Sequence, residues 1–550
     1  MYSNKENVNI LTALLVEHGV RHAVVCPGSR NAPIVHNLSE CPAVRCYPVT
    51  DERSAGFYAI GMMQALGEPV AVCVTSGTAL LNVAPAVAEA YYQHLPLIVI
   101  SADRPEAWID QLDGQTLPQP DALSRFVCRA VSLPEADAWH CSRLVNEALL
   151  DATAEDARPV HINVPLTEPL FTFDADRLPE VRKIVRTTPI RDYDCLYQDF
   201  VESLVAARRP MIVFGQSCPH NYEGNGMGFL FSHVIVLHEA LAPFHNTCHF
   251  DEVLYQEERE GGKEKRILPP DFIIYVGDTV VSKRLRRFLR SAKDAQTWRI
   301  SPSGAVEDTF QNLQGIIVGD PEFVLQALDH KVGYRRFSGM DYRRQWLSAL
   351  TQAVLHTENY QPAFSQMAAV RYFEQKFDEG IVHYANSTAI RLANIYARHH
   401  VWCNRGVNGI EGSLSTAAGY SCVVSQKVFC VIGDLSFFYD QNALWNQNLH
   451  GNLRILLLNN GKGGIFNMLP GLEQSPARDR LVAAAHVTSA EGACLQNSIV
   501  YLKAETMQQM QQGIDTLIQM ESDRPVLLEV LTSAEEDERA FKDYYRSFSI

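Results

Sequence analysis

The sequence predicts an α/β protein built from three doubly wound parallel-sheet domains. Short apolar runs rich in β-formers recur along the chain, and segments long enough for a helix separate them. Within each run the hydrophobicity is continuous rather than alternating, which marks a strand covered on both faces, as in a parallel sheet between helical layers. Length agrees, since 550 residues correspond to about three or four domains.

The first set of strands is Ala23-Val24-Val25-Cys26, Val70-Ala71-Val72-Cys73-Val74, Leu97-Ile98-Val99-Ile100 and Val160-His161-Ile162-Asn163-Val164, giving a domain over 1–175. A charged, Pro-containing stretch from Asp174 to about Arg191 reads as a linker. Met211-Ile212-Val213-Phe214-Gly215, Val234-Ile235-Val236-Leu237 and Phe272-Ile273-Ile274-Tyr275-Val276-Gly277 then define a central α/β domain over 190–335. After a helical, polar span near 336–365, a third domain over 360–550 contains Val428-Phe429-Cys430-Val431-Ile432-Gly433, Leu453-Arg454-Ile455-Leu456-Leu457-Leu458 and the closing Val526-Leu527-Leu528-Glu529-Val530-Leu531.

Composition narrows the function. A net charge of -15 without a basic block or an aromatic-interleaved Arg stripe argues against a nucleic-acid partner. The 13 Cys are scattered without Cys-x-x-Cys or Cys/His ligand spacing, so they read as reduced thiols, and a cytoplasmic location is expected. The N-terminus is polar and the apolar segments are too short to span a bilayer, which leaves neither secretion nor a membrane partner expected.

Polar chemistry gathers where the strands end. Pro27-Gly28-Ser29-Arg30 follows the first strand, and Arg30 would present a planar guanidinium able to grip a carboxylate. Asp51-Glu52-Arg53 opens a helix of small residues, Val74-Thr75-Ser76-Gly77-Thr78 is a strand-Gly-helix turn, and Ala102-Asp103-Arg104-Pro105 ends another strand. Taken singly these are a turn with a solvated Arg, a helix cap and ordinary loops. Together they converge on the edge of one sheet where a ligand pocket belongs. In the third domain one apolar run stops at Gly433-Asp434 and the next at Asn459-Asn460, setting a carboxylate and a carboxamide at the carboxyl edge of a sheet. Two such oxygens suit a hard cation like Mg²⁺, which completes its octahedron with phosphate oxygens and water.

These motifs resemble the 2-succinyl-5-enolpyruvyl-6-hydroxy-3-cyclohexene-1-carboxylate synthases of menaquinone biosynthesis, a family of thiamine diphosphate-dependent transferases. The resemblance lies in Pro-Gly-Ser-Arg at 27–30, Asp-Glu-Arg at 51–53, Thr-Ser-Gly-Thr at 75–78 and Ala-Asp-Arg-Pro at 102–105. It continues in Asn386-Ser387-x-x-x-Arg391, Asn404-Arg405-Gly406-x-x-Gly409-Ile410-x-Gly412, Leu414-Ser415-Thr416-Ala417-Ala418-Gly419 and Gly433-Asp434-Leu435-Ser436. Thiamine diphosphate enzymes usually carry Gly-Asp-Gly here; Leu435 matches this particular family. The first domain then reads as pyrimidine-binding and the third as diphosphate-binding, with the central domain matching weakly.

The resemblance implies roles. Glu52 would hydrogen-bond N1′ of the aminopyrimidine and promote its imino tautomer, a task suited to a partly desolvated carboxyl. Thr78 would lie on the cofactor, and Ile410 would prop it in its bent form, although Ile410 also reads as plain core. Asp434, Asn460 and the backbone carbonyl of Lys462 would bind Mg²⁺ or Mn²⁺, while Gly433, Leu435 and Ser436 approach the diphosphate. The implied substrates, 2-oxoglutarate and isochorismate, bring four carboxylates, so several cations should converge. Arg391 and Arg405 fall to 2-oxoglutarate and the intermediate made from it; Arg30, Arg104, Gln115 and Lys283 fall to isochorismate, with Ser29 and Ser387 assisting substrate binding. Lys283 equally suits a solvated helix face. Phe466 and Leu469 resemble apolar lining of the substrate side. Decarboxylation of the 2-oxoacid and a Stetter-like addition to the ring enoate would follow, in a homodimer or dimer of dimers with Glu52 from one chain facing Asp434 of another. An acetolactate synthase or benzoylformate-type decarboxylase is the rival reading; it would need fewer cations. A dinucleotide oxidoreductase lacks its Gly-x-Gly-x-x-Gly signature after any strand. A cofactor-free scaffold would have lost Glu52, Asp434 or Asn460, all of which are present.

Overall fold

The computed structural model describes residues 1–186, 198–217, 227–259, 267–468 and 471–549. Its strands form three sheets in which every ladder is parallel. The first contains β1 (His22–Val25), β2 (Arg45–Pro48), β3 (Val70–Val74), β4 (Leu97–Asp103), β5 (Arg129–Ser132) and β6 (Val160–Pro165), ordered β2-β1-β3-β4-β6-β5. The second contains β7 (Pro210–Phe214), β8 (Ile235–His238), β9 (Phe272–Val276), β10 (Gln296–Ser301) and β11 (Leu313–Val318), ordered β11-β10-β9-β7-β8. The third contains β12 (Ile381–Tyr384), β13 (Val428–Gly433), β14 (Leu453–Asn459), β15 (Val500–Ala504) and β16 (Val526–Leu531), ordered β12-β13-β14-β16-β15. Helices flank all three.

Six strands lie outside the apolar runs of the sequence. Five of them, β2, β5, β11, β12 and β15, stand at sheet edges. In β2, β5, β11 and β15 the side chains are largely not buried, so continuous hydrophobicity is not required, whereas β12 is buried with Trp402 bonded along its outer edge, and its short apolar run is broken by His383. The sixth, β10, is interior yet carries Gln296, Thr297, Arg299 and Ser301. The linker expected from Asp174 begins as irregular chain, with Ala175 bridged antiparallel to Tyr2, and its last part lies outside the described residues. Among the described residues every cysteine is free. No helix among them is long and apolar enough to cross a membrane.

The outer domains share one core. Val72 and Val99 of the first sheet and Cys430 and Leu457 of the third belong to a single buried apolar cluster. Between the sheets, the helix Glu52–Leu66 lies against the helix Ser413–Ser421. Glycine makes this approach possible: a Cβ on Gly61 would fall 1.9 Å from the Thr416 carbonyl oxygen, and one on Gly419 2.2 Å from that of Tyr58. Tyr58 Oη donates to the Ala443 carbonyl at 2.7 Å and Arg53 to that of Tyr439 at 2.8 Å. The central domain packs its own two cores around the buried Trp346 and Phe214, and meets the third domain through Ala240, Leu241 and Val281.

Candidate active site

β13 delivers Asp434 as the first residue of the helix Asp434–Tyr439, and β14, in register with Gly433 opposite Leu458, delivers Asn459 and Asn460 beside it. Asp434 is 5% exposed. Its Oδ1 accepts from the Leu435 amide at 2.7 Å and its Oδ2 from the Gly461 amide at 2.8 Å. Burial raises its pKa, while the amides and His486 pull the other way. Gly461, at φ +75, makes the turn that aims its N–H inward. The two asparagines divide the work. Asn459 is structural, donating to Glu529 at 2.7 Å and to the Thr488 carbonyl at 2.9 Å. Asn460 donates its Nδ2 to Asp537 at 2.9 Å, which leaves its Oδ1 with only a long contact from the Lys462 amide, 3.4 Å. The Lys462 ammonium is turned away, onto Glu535 at 3.0 Å.

This anchor fits a metal and a diphosphate. Its donors, a carboxylate, a carboxamide oxygen and a backbone carbonyl, are hard oxygens, and no group of three His, Cys, Asp or Glu among the described residues offers a competing site. A Cβ on Gly433 would meet nothing within 4 Å, so the backbone there is open to a ligand. His486 accepts from the Thr488 amide through Nδ1, which fixes its proton on Nε2; that atom is buried without a hydrogen-bond partner, 3.3 Å from Asp434. A buried unpaired N–H aimed at the anchor suits an incoming anionic oxygen.

The loop 404–412 adjoins the anchor. Ser436 Oγ donates to the Ile410 carbonyl at 2.5 Å. Asn386 holds the loop by donating to the carbonyls of Asn404, 2.6 Å, and Gly409, 2.7 Å, and Asn404 donates to Thr416 Oγ1 at 2.9 Å. Ile410 is not core: its side chain is 43% exposed, because the loop turns it away from the sheet. Sequence reading missed Glu89, which accepts from the amides of Gly406 and Val407, both at 2.7 Å, and so ties the first domain to this loop. Burial raises its pKa. The signal was there, a lone carboxylate within the apolar helix Ala84–Tyr92.

A cavity of about 800 Å³ lies between the central and third domains, lined by Glu239, Lys283, Arg286, Arg391 and Ile465 among others. Arg391 donates to the Ser387 carbonyl at 2.8 Å; Ser387 itself adopts φ +75. Arg405 donates to Asn386 Oδ1 at 3.1 Å, and its Nε is buried without a partner. Neither guanidinium has a carboxylate partner among the described residues. Burial lowers the pKa of Arg391, and the charge of Arg405 adds to the effect. Glu239, missed by sequence reading, accepts from the amides of Val281, 2.6 Å, and Ser282, 2.7 Å; burial pushes its carboxyl up to about 7 against the pull of these amides and of Arg405. Lys283 is exposed on the cavity rim and Phe466 is half-buried in a turn near it. Leu469 lies outside the described residues.

The edge of the first sheet differs. Asp51 caps its helix by accepting from Arg53 N at 2.9 Å and Ser54 N at 3.4 Å, which frees Glu52. Glu52 is half-buried and accepts from Asn82 Nδ2 at 3.3 Å. Gly77, at φ +84, precedes an exposed Thr78 and donates its N–H to Gln119 at 2.7 Å. Gln119 is fully buried, donates also to Ala102 O and Asn163, and went unread because nothing local distinguishes it. Ser29 and Gln115 are exposed. The expected free guanidinium of Arg30 is instead buried and engaged, donating to the Leu166 carbonyl at 3.0 Å and to Glu168 at 3.1 Å. Arg104 likewise donates to the Gly114 carbonyl and pairs with Asp113, each at 3.0 Å. Among the described residues no hydrogen bond joins Glu52 to the Asp434 anchor of the same chain.

Residues 6–124 match the thiamine pyrophosphate enzyme N-terminal TPP-binding domain. Fold, anchor and matched domain together define an enzyme of the thiamine diphosphate-dependent class. Relatives from Bacteroides thetaiotaomicron and Bacteroides fragilis are each 45% identical, covering 99% of this chain and 99% of their own. One from Flavobacterium psychrophilum is 32% identical across 96% of both chains. All three carry the same name, and the chain belongs to that family, the 2-succinyl-5-enolpyruvyl-6-hydroxy-3-cyclohexene-1-carboxylate synthases.

Proposed function

We propose that the protein decarboxylates 2-oxoglutarate and joins the remaining four-carbon unit to isochorismate, with thiamine diphosphate and Mg²⁺, as a step of menaquinone biosynthesis. The observation that carries this reading is an oxygen-donor anchor followed at once by the turn Gly464–Met468, whose Ile465 lines the cavity, together with Arg391 on the cavity wall and Arg405, whose charge acts on it, neither guanidinium having a carboxylate partner among the described residues. A dicarboxylic 2-oxoacid supplies what such a wall is missing.

Asp434, Asn460 and the Lys462 carbonyl would hold the metal; Asp537 takes the Asn460 Nδ2 hydrogen and so leaves the amide oxygen free for it. Gly433, Leu435 and Ser436 lie along the diphosphate, and Ile410 and Thr78 bear on the cofactor rings. Bound thiamine diphosphate supplies the carbon nucleophile that makes loss of the 2-oxoacid carboxylate as CO₂ feasible. Glu52 holds and moves the proton at N1′ of its pyrimidine. Arg391, Arg405 and Ser387 fix 2-oxoglutarate; Ser29, Arg30, Arg104, Gln115 and Lys283 fix isochorismate, and Phe466 and Leu469 keep water from the reacting carbon. A new carbon–carbon bond forms at the β-carbon of the isochorismate ring enoate.

The site is completed by a second copy, with Glu52 of one chain meeting Asp434 of the partner subunit. Leu81, Tyr439 and Trp445, at 46%, 51% and 57% exposure, give the single chain apolar surface that a partner would cover; Tyr439 lies under Arg53, and Leu81 precedes Asn82, which donates to Glu52.

The test is CO₂ release from 2-oxoglutarate with thiamine diphosphate and Mg²⁺, with and without isochorismate. Release that isochorismate accelerates and couples to product is expected. Turnover of pyruvate but not of 2-oxoglutarate would reject the reading in favour of an acetolactate synthase-like activity.

A further inference from the structure

The helix Lys283–Ser291 of the central domain carries a row of cations, and all but two of their side chains are accounted for. Arg284 pairs with Asp251 and Glu258 and lies over the rings of Tyr255 and Tyr545. Arg287 pairs with Glu258 at 2.9 Å and Arg290 donates to the Thr309 carbonyl at 2.9 Å. Lys283 stands exposed on the rim. Arg286 is different: it is half-buried on the cavity wall, and its guanidinium makes no hydrogen bond or ion pair with any described residue.

Its surroundings are crowded with like charge. Burial lowers the pKa of Arg286, and Arg405 and Arg290 lower it further, opposed by Glu239 and Tyr275. Arg405 also acts on Arg391 across the same space. Glu239, a carboxyl on the same cavity wall, already has its oxygens occupied by two backbone amides. Arg286 and Arg391 line the same cavity, and leaving two guanidiniums on its wall without a carboxylate is unfavourable unless an anion joins them.

We propose that Arg286 is a substrate ligand that, with Arg391 and Arg405, receives the carboxylate remote from the keto group of a dicarboxylic 2-oxoacid. This assignment rests on the reading of the site as one that decarboxylates 2-oxoglutarate. The remote carboxylate is the one to hold, because the carboxylate next to the keto group departs as CO₂, and a cation gripping it tightly would favour the substrate over the transition state. A monocarboxylic 2-oxoacid would leave the three guanidiniums unpaired, so the same cluster selects against it.

Succinate, an unreactive dicarboxylate, probes the subsite without turnover. Calorimetric titration of succinate into the protein loaded with thiamine diphosphate and Mg²⁺, alongside steady-state kinetics, is expected to show Arg286→Gln weakening succinate and raising KM for 2-oxoglutarate by about tenfold each. In that variant kcat and KM for isochorismate stay within about twofold, Arg286→Lys recovers part of the loss, and Arg287→Gln changes neither quantity. If Arg286→Gln does not fold, Arg286→Lys, which keeps the charge and loses the planar fork, carries the test with the same signs. Unchanged succinate affinity and KM in the Arg286 variants, an equal loss in Arg287→Gln, or a shift in KM for isochorismate instead would overturn the assignment. A wild-type protein that neither binds succinate nor turns over 2-oxoglutarate would overturn the underlying functional reading; normal wild-type behaviour with indistinguishable Arg286 variants would overturn this inference alone.

Discussion

Two groups of arginines face the proposed site, and they are prepared in opposite ways. Arg30 and Arg104, at the carboxyl edge of the first sheet, are neutralised within their own domain by Glu168 and Asp113. Arg391 and Arg286, on the wall of the cavity between the central and third domains, and Arg405, whose charge acts on both, have no acid partner among the described residues. A ligand reaching the first group must displace a carboxylate already in place, whereas one reaching the second relieves repulsion built in by the fold. The first group therefore contributes to folding before it contributes to binding, and the second is preorganised for anions at the expense of stability.

The sharpest way to separate the two edges is to remove the group that each contributes to cofactor chemistry. Glu52→Gln is expected to cut CO₂ release by about 10³-fold or more while cofactor binding and melting temperature persist, since the change is nearly isosteric but removes the proton partner. Asp434→Asn is expected to lose cofactor binding itself, read by titration of thiamine diphosphate with Mg²⁺, because it removes the one carboxylate of the proposed metal set. Equal cofactor affinity in both variants would erase the distinction.

Next in size is the contrast between Arg391→Gln and Arg30→Gln. The former should raise KM for 2-oxoglutarate about tenfold to a hundredfold with little loss of stability, because no internal pair is broken. The latter should lower stability by roughly 1–3 kcal/mol in denaturant melts, because it strands the buried Leu166 carbonyl. A stable Arg30→Gln protein would mean that its pairing is incidental.

A pH series tests the central counter-charge. Glu239 has a folded pKa raised to about 7 from 4.5, so between those values the folded chain keeps a proton that the unfolded chain has released. Stability from this group is therefore lost as pH rises through that window, by up to about 3 kcal/mol. Glu239→Gln should flatten that part of the stability profile; an unchanged slope would show that Arg405 and the amides keep the carboxylate ionised. The smallest effect is expected from Arg104→Gln, at most about 1 kcal/mol, since its pair with Asp113 is partly solvated.

Sequence pattern carried the architecture further than it carried the site. Interior strands such as β3, β4, β13 and β14 are legible because burial on both faces demands unbroken apolar residues, and edge strands such as β2 and β15 are not, because solvent relaxes that demand. The positions of Asp434 and Asn460 follow from where those strands stop. Which asparagine keeps a free oxygen does not, because Glu529 and Asp537, the partners that decide it, come from distant parts of the chain. For the same reason Arg30 looked available: Glu168 lies across the sheet from it and no local pattern joins them. Ile410 reads as core by composition, yet the loop held by Asn386 and Glu89 turns it outward.

The glycine seam at Gly61 and Gly419 has a further consequence. Where only hydrogen separates one backbone from another, neither helix can slide or tilt without collision, so the outer domains of a chain behave as one stiff yoke. Any widening of the cavity to admit a ligand then falls to the border between the central and third domains, where the cavity lies. A single added methyl on either glycine would spread the yoke and part the edge that carries Glu52 from the anchor that carries Asp434.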